Sequence, residues 1–230
     1  MRRLGIVAVG LALVVGLAAG CGGDGELPDR TLGTQDMATA ASPSGQADVE
    51  EPLAAGWTRR TGDTWTIGLP ATWEDYPLEG FTIDDLESSG HPLLTKAVEA
   101  WGRDAVAGYL SQGILVVAVD SSSPTLSLVV GGVPGGPPTI PVREGLDEMA
   151  RIDRDAGISV VSEDTSASAG PYDAGILEVY DPTSGFHQLK YLVRVPEVGW
   201  FWIVFTYFSP EEEFDPVLFQ QIVDSFRAST

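Results

Sequence analysis

Four apolar, β-branched runs follow one another late in the chain: Ile158 to Glu163, Gly175 to Tyr180, Gln188 to Val195 and Trp200 to Phe208. Each is bounded by turn residues and reads as a strand. No helical pattern intervenes, so an antiparallel meander is expected, because consecutive strands usually pair as neighbours. The closing segment, from about Pro210 to Ala228, places Phe214, Leu218, Phe219, Ile222, Val223 and Phe226 on one stripe. Glu211 to Glu213 sit at the positive end of that expected helix. A helix with such a stripe has to bury it, and the meander is the surface available.

The segments ahead of the meander supply the rest of the domain. Trp57 to Arg60 and Trp65 to Leu69 read as a hairpin turning at Gly62-Asp63, closed by Pro70 and Trp73. From His91 to Gln112 the residues Leu93, Leu94, Ala97, Val98, Trp101, Ala105, Val106, Tyr109 and Leu110 recur at helical spacing, and Gly113 ends the pattern. Ile114 to Val119 and Thr125 to Val130 form a second hairpin, Gly131 to Pro141 reads as a glycine- and proline-rich loop, and Pro141 opens a helix to about Ala156. The order hairpin, helix, hairpin, helix, meander, helix predicts an α/β fold: an antiparallel sheet with helices on both faces, an α/β/α sandwich.

The N-terminus is of a different kind. Arg2 and Arg3 precede an apolar or glycine run from Leu4 to Gly20, the pattern of a secretory signal. The run is shorter than the about 20 apolar residues of a membrane-spanning helix. It ends in Leu17-Ala18-Ala19-Gly20-Cys21, which resembles a bacterial lipobox with its leucine one place earlier than usual. That resemblance implies cleavage before Cys21 and acylation there. Cys21 is the single cysteine, so no internal disulfide can form and the domain must be held by its core. Stable anchoring takes two or more acyl chains at about 0.8 kcal/mol per buried methylene, and a diacylglyceryl cysteine with an amide-linked chain meets that need. The expected organisation is therefore a signal over 1–20, a lipidated cysteine and disordered tether over 21–55, and a globular domain over 56–230. The tether is Gly, Ser, Thr, Ala, Pro and acidic residues, too few large apolar side chains to offset the entropy of ordering.

Removing the signal takes two of the 13 basic residues and none of the 33 acidic ones, leaving a formal charge of 11 − 33 = −22. Such a surface repels nucleic acid and anionic headgroups at a distance and favours cationic partners. Nucleic-acid binding is excluded on this ground. The chain has no asparagine and two lysines, Lys96 and Lys190, a bias that points to a GC-rich, actinobacterial source.

Two stretches carry a resemblance to a known family. One is Gly68-Leu69-Pro70-Ala71-Thr72-Trp73; the other is the aromatic strand Phe201 to Phe208 followed by Phe219-Gln-Gln-Ile-Val-Asp-Ser225-Phe226-Arg227. Together they make the domain similar to the PsbP-like superfamily, and within it to the LpqN/LpqT type of actinobacterial lipoprotein. The resemblance implies the sandwich fold, a structural role for the Pro-x-x-Trp corner and the terminal Ser-Phe, and a habit of binding partners. It implies no catalytic residue and no cofactor. For the lipoprotein members it implies acyl-glycolipids or the envelope transporters that export them.

The residues themselves offer little chemistry. No Gly-x-Ser-x-Gly elbow accompanies His91 and His187. The glycine-rich loop lacks the lysine and hydroxyl of a phosphate cradle. The acidic runs Asp84-Asp85 with Glu87, Asp147-Glu148, Asp153 with Asp155, Glu163-Asp164 and Glu211 to Glu213 with Asp215 match no metal-loop spacing, and they read as solvated faces and helix starts. The aromatic set is the better candidate: Trp73, Tyr76, Phe81, Trp101, Trp200 and Trp202 would line an apolar cleft between sheet and helix, rimmed by Glu74 to Gly90, that admits an acyl chain. In a strand, Trp200 and Trp202 share one face while Phe201 and Ile203 share the other, so both sets can equally be core. The expectation is a non-enzymatic, lipid-anchored protein on the extracytoplasmic face of the cell membrane that binds a lipid, a glycolipid or an envelope membrane protein. The alternatives are a cell-surface hydrolase using a carboxylate pair and an assembly scaffold for a membrane complex.

Overall fold

The computed structural model describes residues 53–89, 103, 107, 110, 113–122, 126–134, 138, 140–183, 185–207 and 215–228. The signal, Cys21, most of the tether, Trp101 and residues 208–214, over which the last helix was expected to begin, lie outside the described residues. So does most of the helix expected from His91, although Arg103, Ala107 and Leu110 are helical.

The described elements are β1 (Trp57–Thr61), β2 (Trp65–Pro70), β3 (Trp73–Pro77), α1 (Ile83–Ser89), β4 (Ile114–Asp120), β5 (Ser127–Pro134), α2 (Val142–Asp155), β6 (Ser159–Ala169), β7 (Tyr172–Tyr180), β8 (His187–Val195), β9 (Gly199–Tyr207), α3 (Pro216–Asp224) and β10 (Arg227–Ala228). They form antiparallel sheets. A seven-stranded sheet has the order β3-β4-β5-β9-β8-β7-β6, and β1, β2 and β10 form a second sheet of three strands. The expected meander is present as β6 to β9, each strand paired with the next. A single sheet is not. The first hairpin stands apart because Pro70 and the Ala71-Thr72 turn redirect the chain, so β3 pairs with β4 and β2 pairs with the end of the chain.

Strand pleating sorts the core into two sets. Leu189, Tyr191, Val193 and Val195 of β8 and Phe201, Ile203, Phe205 and Tyr207 of β9 share a core with Phe219, Ile222 and Val223 of α3 and with Trp65, Ile67 and Leu69 of β2. Leu192 of β8 joins Leu177 and Val179 of β7 and Leu146, Met149 and Ala150 of α2 in another. A smaller group, Leu78, Ile114 and Val129, has Leu110 and Val117 packed against it.

Local chemistry accounts for the helix ends. Asp215 accepts from the N–H groups of Val217 and Leu218, and Pro216 takes the first helical position, so α3 starts with its orphan donors satisfied. It stops at Ser225, short of the expected Ala228. The Ser225 hydroxyl donates to the Ile222 carbonyl at 2.6 Å and accepts from the Gly68 N–H at 2.7 Å, which frees the chain to pair as β10. Phe226 is buried 5.2 Å from Phe201 by ring centroid, so the first and last elements are locked to the sheet. α2 stops at Gly157, whose φ of 83° suits glycine.

Candidate ligand surface on the large sheet

The face of the large sheet that meets α2 carries Gln188, Lys190, Leu192 and Arg194 on β8 and Trp200, Trp202, Val204 and Thr206 on β9, set opposite one another in register. Next to them on β5 stand Gly131 and Val129. Trp202 is 2% exposed, and its indole lies where a Cβ on Gly131 would stand, 2.2 Å from that position. Glycine is required there by the ring above it, and on the opposite face Gly132 makes the same room for Phe201, at 2.6 Å. Gly131 to Pro134, expected as loop, are consequently part of β5. Trp200 is half-buried and packs against the α2 core.

The aromatic set does not converge on one cleft. Trp73 is buried in the core shared with α3 and β2, on the opposite face from Trp202. Tyr76 is half-buried on β3, where its hydroxyl donates to Glu74 at 3.0 Å. Phe81 is 41% exposed ahead of α1. The described surface that remains from the expected cleft is the β9 strip of Trp200 and Trp202 beside α2, to which Tyr76 belongs only through the shared face of the sheet. Of Glu74 to Gly90, expected as a rim, the described residues up to Ser89 are the rest of strand β3, a turn and α1. Within it Thr82 and Asp85 cap α1 reciprocally: Asp85 accepts from the Thr82 N–H and hydroxyl, and Thr82 Oγ1 accepts from the Asp85 N–H. Those bonds hold the Asp85 carboxyl below its ordinary value.

Beneath the C-terminal half of α2 the same face is polar. Lys190 Nζ donates to both carboxylate oxygens of Asp153, at 2.7 and 2.8 Å, and the two side chains are 1% and 0% exposed. Gln188 donates to Thr206 at 3.1 Å alongside. Burial pushes the Asp153 carboxyl up and the Lys190 ammonium down, both against the pull of the partner's charge. A pair in this state fixes α2 in register on the sheet, and losing either member strands the other charge. One of the chain's two lysines is thus wholly internal. The signal was available: Asp153 continues the inward stripe of Leu146, Met149 and Ala150, and Lys190 lies between Gln188 and Leu192 on the α2-facing side of β8.

The acidic runs are engaged elsewhere. Arg103 meets Asp84 and Glu87, Arg151 meets Glu148 and Asp155, and Arg154 meets Glu163. Asp164 accepts from the N–H and hydroxyl of Ser166. Among the described residues no group of three or more His, Cys, Asp or Glu is placed to hold a metal. His187 sits between Tyr180 and Tyr207, at centroid distances of 4.7 and 5.5 Å, in an aromatic stack at the edge of the core. His91 lies outside the described residues.

The backbone is similar to that of cyanobacterial PsbP. The solution structure of that protein, CyanoP from Synechocystis, shares 11% identity, with 81% of this chain and 98% of that one covered, at a TM-score of 0.47. A crystal structure from Bacteroides thetaiotaomicron also shares 11% identity, covering 72% of this chain and 45% of that one, at a TM-score of 0.40. No family model matches the chain, and no curated protein matches it in sequence. No described helix is long and apolar enough to cross a membrane.

Proposed function

We propose that the chain is a lipoprotein anchored through Cys21 to the extracytoplasmic face of the cell membrane, and that its domain, a PsbP-like sandwich with helices on both faces of the large sheet, is a non-enzymatic binding module for a lipid, a glycolipid or an envelope membrane protein. The observation that carries this reading is Cys21 itself: the sole cysteine, placed after small residues at the end of an apolar run too short to span, and followed by a tether-like stretch ahead of the first strand. The engagement of Asp84, Glu87, Glu148, Asp155 and Glu163 in ion pairs and of Asp85 and Asp215 in helix caps supports a binding role in preference to hydrolysis. The half-buried Trp200 beside α2 is the described part of an apolar surface suited to an acyl chain.

The anchor is tested by metabolic labelling with radioactive palmitate in a host that processes lipoproteins. Label that enters the parent protein and is lost in Cys21→Ala supports it. Equal labelling of both, or none, would remove it.

A further inference from the structure

We propose that the row Asp173, Arg194 and Trp200, on the α2 side of the large sheet, binds the ring of a neutral sugar, with the indole against the ring and the charged groups on its hydroxyls. Asp173 stands opposite Arg194 and Arg194 opposite Trp200, so the three side chains follow one another across β7, β8 and β9 in steps of about 5 Å. The next row on the same face is Gly175, Leu192 and Trp202, and the first turn of α2 lies over it. A Cβ on Gly175 would stand 2.9 Å from Val142, and one on Gly145 would stand 2.7 Å from Leu192. α2 therefore ends its cover one row short and forms a step beside Trp200. Ile140, 37% exposed, and the edge of the half-buried indole each lie 3.9 Å from the Gly145 position, so both border that step.

The charged groups at this step differ from those elsewhere in being unpaired. Arg60, Arg103, Arg151, Arg154 and Lys190 each meet a carboxylate. Arg194 and Asp173 are in register on adjacent strands, yet among the described residues neither has an ion-pair partner. The Arg194 Nε is buried and has no hydrogen-bond partner there, which leaves a donor unsatisfied. Arg143 and Glu144 in the first turn of α2 and Glu197 in the β8–β9 turn are exposed and likewise form no ion pair among the described residues.

Arg143 and Arg194 against Glu144, Asp173 and Glu197 nearly cancel, so the step favours neither a strongly cationic nor a strongly anionic ligand. What it offers is a mixed set: guanidinium groups that only donate and carboxylates that only accept, not satisfied by one another. A sugar ring has an apolar C–H face and a rim of hydroxyls that each donate and accept. An indole flanked by free donors and acceptors meets both features, as an apolar surface with a few placed polar groups does in ligand sites generally. This inference deepens the binding-module reading and rests on it for the site, and it is independent of the anchor at Cys21.

The test uses the chain from residue 21 onward with Cys21→Ala, titrated with the methyl and octyl glycosides of glucose, mannose and galactose and followed by amide shifts in NMR spectra, which also report whether each variant is folded. At least one methyl glycoside should bind saturably. Its affinity should fall about tenfold in Trp200→Leu, which removes the stacking surface, and about tenfold in Asp173→Ala, which removes a charged acceptor. Asp147→Ala, which removes an exposed carboxylate of α2 away from the row, should bind as the parent does. Tighter binding of the octyl than the methyl form identifies the source as a glycolipid, and equal binding identifies a free glycan. No binding of any glycoside, full binding by Asp173→Ala and Trp200→Leu, or tighter binding of methyl glucuronide than of the neutral glycosides would overturn the proposal. A lipid retained by the purified domain without any sugar binding would overturn this inference and leave the binding-module reading standing.

Discussion

The two faces of the large sheet are built from the same strands and covered in different ways. Toward α3 and the small sheet, β8 and β9 present Leu189, Tyr191, Val193, Phe201, Ile203 and Phe205, and the contact is aromatic: Phe205 stacks on Phe219 at 4.2 Å and 5°. Toward α2 the alternate residues of the same strands include Gln188, Lys190 and Thr206, all buried, with Asp153 inserted from the helix. Apolar contact is non-directional and tolerates small shifts, whereas a buried ion pair has one geometry. One face therefore supplies most of the cohesion of the domain, and the other fixes where α2 sits.

The contrast is broken most forcefully at the ion pair. Lys190→Met should destabilise the domain by about 3–5 kcal/mol in urea unfolding, because Asp153 is left charged and buried, while Lys190→Met with Asp153→Leu should recover most of the loss. If the single and double variants were equally unstable, the pair would be a packing element and the distinction between the faces would fail. The paired glycines come next. Gly131→Ala and Gly132→Ala press a methyl into Trp202 on one face and Phe201 on the other, so each should cost about 1–3 kcal/mol. A larger loss at Gly132, measured in the same urea series, would place the more rigid packing on the α3 side.

Smaller effects sharpen the picture at the edge of the α3 face. Ser225→Ala removes the hydroxyl that ties Gly68 to the end of α3 and should cost about 1 kcal/mol. Hydrogen exchange at the Gly68 amide should rise with it, while exchange in β7 stays as it was. The least effect at neutral pH comes from the buried phenols. Burial pushes Tyr191, aided by the Asp224 charge, and Tyr207, aided by Glu178, from the ordinary 10.0 up to about 12. A raised folded-state pKa favours the neutral phenol in the native protein. The stability this contributes is complete below pH 10 and is lost as pH climbs from 10 toward 12. Tyr191→Phe should make that alkaline loss shallower in thermal melts.

How much of this was legible follows from where the chain obeys simple periodicity. The first hairpin, α2 and the β7 to β9 meander follow from periodicity and turn residues, because β2 and β7 to β9 bury most of their apolar residues and α2 buries one stripe. β3 was hidden: Trp73 reads as closing the first hairpin and Glu74 onward as the rim of a cleft, and only pairing with β4 makes Trp73–Pro77 a strand. β6 runs six residues past the expected Glu163 to Ala169 because an exposed edge strand has no apolar rhythm to read, and its two bulges break what rhythm there is. Gly131 and Gly132 look like loop until the rings above them are known. In the site, Trp200 and Trp202 were correctly placed on one face of β9, but nothing in spacing tells that Trp73 faces the other side. The Lys190–Asp153 pair joins residues 37 apart and needed the fold to bring them together.

The most direct test of the binding role is native mass spectrometry of residues 51–230 purified from the envelope of a lipoprotein-exporting host. A stoichiometric lipid adduct that weakens when Trp200 is replaced by alanine is the expected result. A clean apo mass, with no lipid retained under conditions that keep the fold intact, would contradict lipid carriage and leave a protein partner as the ligand to be sought.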